Sequence, residues 1–271
     1  MSLIEPNFVF TQSNLHTYRY CRQRFWLRYV RQLIWPAQLS SNQQFALDKE
    51  AGSRFHRLVH QHFLGFQAST LRKMAEHDPD SRMILWLDRF FSSPFANLSG
   101  MLFPETAFKV KTGEYALAAK VDLLQIISEN QILIYDWKTS SKLPSAKQLK
   151  DTLQSKVYPL VISERFKDSS SIPLIKMIYW EANFPDQPVE INYHVGDYRL
   201  FEKEIADMVL EISNLTEAEF VKTDNLNLCT VCEYRSYCGR GDTAAAEDYD
   251  AAFDIPDYEI EIPEGETAPW G

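Results

Sequence analysis

The placement of four cysteines constrains the fold of this 271-residue chain more than any other feature of its sequence. Cys21 stands near the start, and Cys229, Cys232 and Cys238 stand close together near the end. A 4Fe–4S cluster takes four thiolate ligands, so the number of cysteines equals the number that one cluster needs. A ligand set that joins residue 21 to residue 229 would close most of the chain into one loop.

A zinc site, disulfides and unrelated buried thiols are the alternative interpretations of these cysteines. Structural zinc sites usually present two close cysteine pairs, and one lone cysteine plus a trio matches them poorly. Disulfides need an oxidising compartment, and residues 1–6 lack the basic and apolar regions of a signal peptide. We therefore expect a cytoplasmic protein that carries an iron–sulfur cluster, with zinc as an open alternative.

The acidic residues are concentrated at the C-terminus, which changes what the net charge of −9 implies. Residues 241–271 contain ten acidic residues and neither lysine nor arginine, which leaves 27 acidic and 28 basic residues in the rest of the chain. A nearly neutral body does not exclude DNA as a ligand, and an acidic appendage is typical of a solvated interaction tail. We predict one domain over residues 1–240 and a flexible acidic tail over 241–271. No apolar run is long enough to span a membrane.

The order of helix-like and strand-like segments predicts an α/β (α+β) core. The first helix begins near Ser13, ends near Tyr29 and carries Cys21 in its middle. Further helices are predicted over residues 45–63, 81–91, 146–166 and 199–220. Strands are predicted over residues 101–110, 115–127, 131–137, 174–180 and 189–194.

Two acidic residues and a lysine at the end of an apolar hairpin form a candidate catalytic site. Asp136 and Lys138 share one face of their strand because side chains alternate along it, and Asp122 lies in the preceding strand. If these strands pair, Asp122 approaches Asp136, and two converging carboxylates suit a hard cation such as Mg²⁺. A lysine beside the ion can orient an attacking water or stabilise charge on a phosphate. A structural ion pair at a strand end is the alternative interpretation.

At these residues the chain resembles the PD-(D/E)XK nuclease superfamily. Asp122 followed by Asp136-Trp137-Lys138 is similar to its D…(D/E)-x-K signature. Three further segments resemble elements of its RecB-like branch: residues 20–25 resemble the Y-x-x-C-x-x-R-F element, with the tyrosine shifted, residues 52–56 match the G-x-x-x-H helix, and residues 154–158 match the Q-x-x-x-Y helix. The cysteine pattern is similar to that of the iron–sulfur members of this branch, the AddB-type nuclease domain and the CRISPR-associated RecB-like exonucleases. Lys120 departs from the pattern, since a small glycine-containing turn is common there.

The resemblance implies a role for each matching residue. The implied ligands of a catalytic Mg²⁺ or Mn²⁺ ion are His56, Asp122, Asp136 and the carbonyl of Trp137. Lys138 would serve the hydrolytic water. Gln154 and Tyr158, one helical turn apart, would position the scissile strand or the lysine. The cysteines would hold a 4Fe–4S cluster that joins the N- and C-terminal segments.

The resemblance also implies a fold, an activity and partners. The fold would be a restriction-endonuclease-like core with a central mixed sheet flanked by helices. The activity would be that of a metal-dependent deoxyribonuclease, an exonuclease that acts on single-stranded DNA or DNA ends in repair, recombination or defence. No helicase motif is present, so unwinding would come from a helicase or another partner subunit. A non-catalytic DNA-binding or assembly subunit and a redox iron–sulfur protein are the alternatives, and neither needs the three charged residues of the hairpin.

Two predictions concern residues whose role the residue pattern leaves open. His62 lies within the apolar face of its helix and is predicted to pack in the core, whereas His56 lies at the edge of that face, where periodicity permits a metal ligand but does not select one. Glu105, after Pro104, is either an extra neighbour of the metal or an exposed strand acid. We expect the exposed acid.

Overall fold

The computed structural model of the chain describes residues 2–35, 38–39, 43–167, 172–230, 232–241 and 243–244. Most of the predicted acidic tail, residues 242 and 245–271, lies outside the described residues. The α-helices in this part of the chain are α1 (Gln12–Tyr20), α2 (Arg22–Phe25), α3 (Gln43–Phe63), α4 (Ala68–Glu76), α5 (Arg82–Ser92), α6 (Ala146–Lys150), α7 (Gln154–Phe166) and α8 (Val195–Asn214). The strands are β1 (Val9–Thr11), β2 (Gln38–Leu39), β3 (Met101–Thr112), β4 (Tyr115–Ser128), β5 (Gln131–Lys138), β6 (Leu174–Glu181), β7 (Val189–Tyr193) and β8 (Thr243–Ala244).

Six of these strands form one mixed sheet around the long strand β4. β3 pairs antiparallel with β4 from Met101↔Ile126 to Thr112↔Tyr115. β5 pairs antiparallel with β4, β6 runs parallel to β5, and β7 runs antiparallel to β6. The predicted hairpin and the expected α/β architecture with a central mixed sheet are therefore confirmed. β2 and β8 form a separate two-stranded parallel pair.

The edge of β4 opposite β3 carries two different strands with a gap between them. β1 pairs in parallel with residues 116–118, and β5 pairs from Leu123 onward. Residues 119–122 therefore have no strand partner on this edge within the described part of the chain. The β4–β5 ladder stops at Leu123↔Tyr135, one residue before Asp122 and Asp136. The two strands separate where their acidic residues lie, and this opens room for side chains from other elements.

Alternate residues of β5 face two apolar cores, one on each side of the sheet. Ile132 and Ile134 belong to the core that α1, α7 and α8 also line. Tyr135 and Trp137 belong to the core lined by α3, α4 and α5. Trp137 is only 1% exposed, and full burial of a large apolar side chain stabilises a fold by about 1.5–3 kcal/mol. This anchor fixes the end of β5 and leaves Asp136 on the opposite face, towards α7.

The helix predicted from Ser13 to Tyr29 is interrupted at Cys21. α1 is capped by Thr11, and it ends at Cys21, whose backbone is extended with φ −158° and ψ 108°. Cys21 then caps α2, with its Sγ accepting a hydrogen bond from the backbone N–H of Arg24 at 3.4 Å. The prediction that Cys21 lies in the middle of a helix is therefore wrong. The thiol occupies a break whose geometry its own sulfur helps to fix.

Other predicted helices also differ from the observed ones. The helix predicted over residues 146–166 is divided into α6 and α7, because Thr152 Oγ1 donates to the carbonyl of Leu149 at 2.7 Å and accepts from the N–H of Ser155 at 3.1 Å. Such local bonds compete with helix continuation. α8 begins and ends earlier than predicted, and α4 was not predicted. No helix of the described ranges is long and apolar enough to cross a membrane.

Candidate functional site

The gap in β4 places Asp122 against helix α3. His56 Nδ1 lies 3.2 Å from Asp122 Oδ1, and the backbone N–H of Trp137 donates to Asp122 Oδ2 at 2.8 Å. Burial favours a raised pKa for Asp122, but the charge and hydrogen bond of His56 outweigh burial and hold the pKa below its usual value. Burial likewise opposes protonation of His56, and the Asp122 carboxylate overcomes it and raises the pKa of the imidazole. Asp122 therefore carries a negative charge, with its two oxygens facing different neighbours.

A glycine allows α3 to approach the site closely. A Cβ atom on Gly52 would lie 3.0 Å from Thr139 Oγ1, just beyond the end of β5. One turn later, Phe55 is fully buried and fixes the inward face of the helix, and His56 follows it at the edge of that face. The absence of a side chain at Gly52 therefore lets α3 lie close to the sheet, and His56, one turn later, can reach Asp122.

Asp136 and Lys138 form a buried pair that Gln154 links. Asp136 is 3% exposed; its Oδ1 accepts from Gln154 Nε2 at 2.5 Å, and its Oδ2 lies 2.7 Å from Lys138 Nζ. Lys138 donates to Gln154 Oε1 at 3.3 Å, and no described residue offers Asp136 Oδ2 a well-aligned hydrogen bond. Burial raises the pKa of Asp136, against the charge of Lys138. The Oδ2 atom of this carboxylate therefore faces the Lys138 ammonium, with which a metal ion would compete.

Helix α7 brings the second predicted pair of residues to the same place. Gln154 begins the helix and is 4% exposed, and Tyr158 follows one turn later with 6% exposure. Burial, followed by the charges of Asp136 and Asp122, raises the pKa of Tyr158 well above its ordinary value. The phenol therefore remains a hydrogen-bond donor beside two carboxylates. The predicted hairpin, α3 and α7 residues all converge on one site.

Glu181 also lies at the site and was not predicted. It is the register partner of Lys138 across the parallel β5–β6 pair, and it is 2% exposed. Its Oε2 accepts a hydrogen bond from the N–H of Ser140 at 3.0 Å. Burial raises the pKa of Glu181 to about 7, against the charge of Lys138. In the sequence, Glu181 is recognisable only as an acid at the end of an apolar strand. Its position beside Lys138 follows from the parallel register of β5 and β6.

Glu105 is part of the site, and the prediction of an exposed strand acid is wrong. Its side chain is 19% exposed and pairs with Lys120 at 2.7 Å. One ligand atom from each of His56, Glu105 and Asp122 lies within 4.8 Å of the others. The combination of carboxylate oxygens with one imidazole suits a divalent cation. The residues present therefore fit a metal at this site.

The structure also brings the four cysteines into electrostatic range of one another. Burial is the main cause that raises the pKa of Cys232 to about 12, and the neighbouring Cys21 adds to it. Burial raises the pKa of Cys238 as well, with further contributions from Cys21 and Cys229. Arg240 Nη1 donates to Cys229 Sγ at 3.2 Å. All four are free thiols, so no disulfide joins them.

Contacts other than the cysteines hold the same two segments together. Glu233 pairs with Arg24 at 2.9 Å and with Arg28 at 3.1 Å. The hydroxyl of Tyr234 donates to the carbonyl of Leu33 at 2.8 Å. Residues 24–33 and the segment that contains Cys232 and Cys238 are therefore in direct contact.

Comparison with known proteins assigns the family. No curated protein sequence matches the chain. Two solved structures are similar in part: SSO0001 (13% identity, 87% of each chain covered, TM-score 0.38) and a protein named as a candidate exonuclease from Eubacterium rectale (10% identity, 75% of this chain and 80% of that chain covered, TM-score 0.47). These values are too low for either structure to support an assignment. A family model of the PD-(D/E)XK nuclease superfamily matches residues 9–239, and this chain therefore belongs to that superfamily.

Proposed function

We propose that this protein is a metal-dependent deoxyribonuclease that hydrolyses phosphodiester bonds. The observation that carries the proposal is the convergence of Asp122, Asp136 and Lys138 where β4 and β5 separate. Burying charged groups is expensive, and strongly perturbed carboxylates gathered in this way are typical of functional sites. A subunit that only binds DNA, or a redox protein, has no use for this arrangement.

The proposed mechanism assigns a task to each buried group. The metal site would consist of His56, Asp122, Asp136 and the carbonyl of Trp137. A bound Mg²⁺ or Mn²⁺ ion would polarise the phosphate and lower the pKa of a bound water. Lys138 would orient that water and stabilise charge that develops on the phosphate.

Residues of α7 would organise this chemistry. Gln154 bonds to both Asp136 and Lys138, so it would fix the carboxylate and the ammonium relative to each other. Tyr158 keeps its proton and can donate a hydrogen bond to a phosphate oxygen. Together these contacts would preorganise the donors, so that little rearrangement accompanies the reaction.

The substrate part of the proposal rests on the RecB-like elements of the sequence. Their resemblance supports single-stranded DNA or a DNA end as substrate, cleaved as an exonuclease in repair, recombination or defence. The near-neutral charge of residues 1–240 does not oppose binding to DNA. A helicase or another subunit would supply any unwinding.

We also propose that Cys21, Cys229, Cys232 and Cys238 bind a 4Fe–4S cluster. Four cysteines around one zinc ion, with Zn–S bonds of about 2.3 Å, would place their sulfurs roughly 3.8 Å apart. The electrostatic interactions among the thiols support a shared ligand set for either metal centre, and iron and sulfide analysis distinguishes the cluster from zinc. The guanidinium of Arg240 would offset part of the negative charge of the thiolates.

A cleavage assay tests the proposed activity. Protein purified without oxygen should cut labelled single-stranded DNA, or DNA with a free end, when Mg²⁺ or Mn²⁺ is added, and EDTA should stop the reaction. A circular single strand of the same sequence separates exonuclease from endonuclease cleavage. Protein that binds DNA but leaves every substrate uncut with either metal would instead be a non-catalytic binding or assembly subunit.

The two histidines of α3 are expected to respond differently to alanine. His56 contacts Asp122, so His56→Ala should raise the Mn²⁺ concentration needed for half-maximal cleavage by at least about tenfold. His62 Nε2 lies 2.8 Å from the carbonyl oxygen of Ala96 and its ring packs on Phe90 and Phe91. His62→Ala should lower stability by about 1–3 kcal/mol and leave the Mn²⁺ dependence unchanged. Thermal unfolding and a Mn²⁺ titration distinguish the two effects, and the reverse result would reject His56 as the ligand.

A further inference from the structure

We propose that Glu105 is a further metal ligand, which completes a divalent-cation site together with His56 and Asp122. The inference deepens the proposed function and rests on it, because the same site and the same class of hard cation are involved. Glu105 lies outside the signature of two acidic residues and a lysine. Its assignment comes from its position in the fold.

The positions of three side chains support this assignment. Ligand atoms of His56, Glu105 and Asp122 lie within 4.8 Å of one another. Around an octahedral ion with bonds of about 2.1 Å, ligand atoms are roughly 3 Å apart when adjacent and roughly 4.2 Å apart when opposite. Small side-chain movements would therefore close the three groups around one ion. Asp136 would add a further oxygen ligand beside these three groups; in the structure its Oδ2 lies 2.7 Å from the ammonium of Lys138.

The backbone conformation of Glu105 is unusual for a residue inside a strand. Its φ is +48°, in the left-handed region that residues with a side chain rarely adopt. The β3–β4 ladder is regular on either side, with Pro104↔Leu123 and Thr106↔Val121. Glycine would occupy this position without steric strain. A strained glutamate inside a strand is therefore explained by a need for its carboxylate, and such strain is concentrated at functional sites.

A lysine neutralises the carboxylate of Glu105 in the structure. Lys120 pairs with Glu105 at 2.7 Å, and its side chain is 38% exposed. When no cation is bound, this flexible and partly exposed ammonium can neutralise Glu105. When a cation binds, the ammonium can move into solvent. Lys120 would therefore compete with the cation for the same carboxylate. Because of this competition, removing the charge of Glu105 should weaken metal binding, whereas removing the charge of Lys120 should strengthen it.

Mn²⁺ binding to the full-length protein without DNA tests the inference. Isothermal titration should give at least tenfold weaker Mn²⁺ binding for Glu105→Gln, which keeps the size of the side chain and removes its charge. Lys120→Ala should bind Mn²⁺ more tightly than the wild type. Glu190→Gln is the matched control, since Glu190 also pairs with a lysine on a neighbouring strand, Lys176 at 2.6 Å, and should leave Mn²⁺ affinity unchanged.

A glycine variant separates metal binding from structure. Glu105→Gly should unfold in EDTA at a temperature at least equal to that of the wild type, because glycine adopts a positive φ readily. The same variant should bind Mn²⁺ as weakly as Glu105→Gln. Wild-type affinity in both Glu105 variants would overturn the inference.

The proposed nuclease activity is judged by a different measurement. If the wild type binds Mn²⁺ through Glu105 but cuts no DNA, the ligand assignment stands and the nuclease proposal fails. If the wild type cuts DNA and the Glu105 variants bind Mn²⁺ normally, the nuclease proposal stands and the ligand assignment fails.

Discussion

Lys138→Ala is expected to reduce metal-dependent DNA cleavage by at least about 100-fold, the effect typical of removing one preorganised group that stabilises developing charge. Lys138 Nζ lies 2.7 Å from Asp136 Oδ2 and bonds to Gln154. Asp136→Asn should be at least as damaging, because it removes a negative charge that the metal needs. Single-turnover cleavage of labelled DNA at saturating Mn²⁺ measures both effects.

Metal affinity should separate the roles of these two residues. Asp136→Asn should weaken Mn²⁺ binding, whereas Lys138→Ala should preserve or strengthen it, because the ammonium and the metal compete for Asp136. The control is Lys176→Ala on the adjacent strand β6, where the lysine pairs with Glu190 of β7. Wild-type cleavage by Lys138→Ala would contradict a catalytic role for the lysine. Loss of activity in Lys176→Ala would indicate that the assay reports stability.

The arrangement of the hairpin could be predicted because it depends on short-range pattern. Apolar alternation and the turn at residues 128–130 determine that β4 and β5 pair, and pairing alone brings Asp122 near Asp136. Side-chain alternation also places Asp136 and Lys138 on one face. The separation of the strands at this point could not be predicted, because it depends on β1 and β5 sharing one edge of β4.

Residues that reach the site through longer-range geometry were harder to predict. Glu181 becomes the neighbour of Lys138 only through the parallel register of β5 and β6. Glu105 is directed into the site by a positive φ, which no apolar periodicity reveals. Gln154 and Tyr158 were identified through family resemblance alone, since a surface amide and a packed tyrosine have the same sequence pattern.

The predicted helix boundaries were wrong where side chains form hydrogen bonds with the nearby backbone. Cys21 ends α1 and caps α2 with its sulfur, and Thr152 separates α6 from α7. Both positions are compatible with helical periodicity, so a hydrophobic pattern does not detect them. The interruption at Cys21 holds the thiol at a junction of two helices.

Substitution of any one cysteine is expected to abolish cluster binding and to destabilise the whole domain. A link from Cys21 to Cys229 closes a loop of 208 positions (229 minus 21). In the simple entropy model, a crosslink that closes a loop of this size stabilises the folded state by about 5 kcal/mol. Glu233 and Tyr234 already hold the two segments together, so the variants should fold at low temperature and unfold well below the wild-type temperature.

The cysteine prediction is checked by composition, colour and proteolysis. Anaerobically purified wild type should contain four iron and four sulfide per chain and be brown, whereas Cys21→Ser should be colourless and protease-sensitive at both ends of residues 1–240. Ser236→Ala is the control: its hydroxyl accepts a hydrogen bond from Trp35 Nε1 at 2.9 Å in the same cysteine segment, and its loss should leave the cluster intact. One zinc per chain in place of iron would reject the cluster. Wild-type stability of Cys21→Ser would reject the crosslink, because the contacts of Glu233 and Tyr234 alone would then be sufficient to join the two segments.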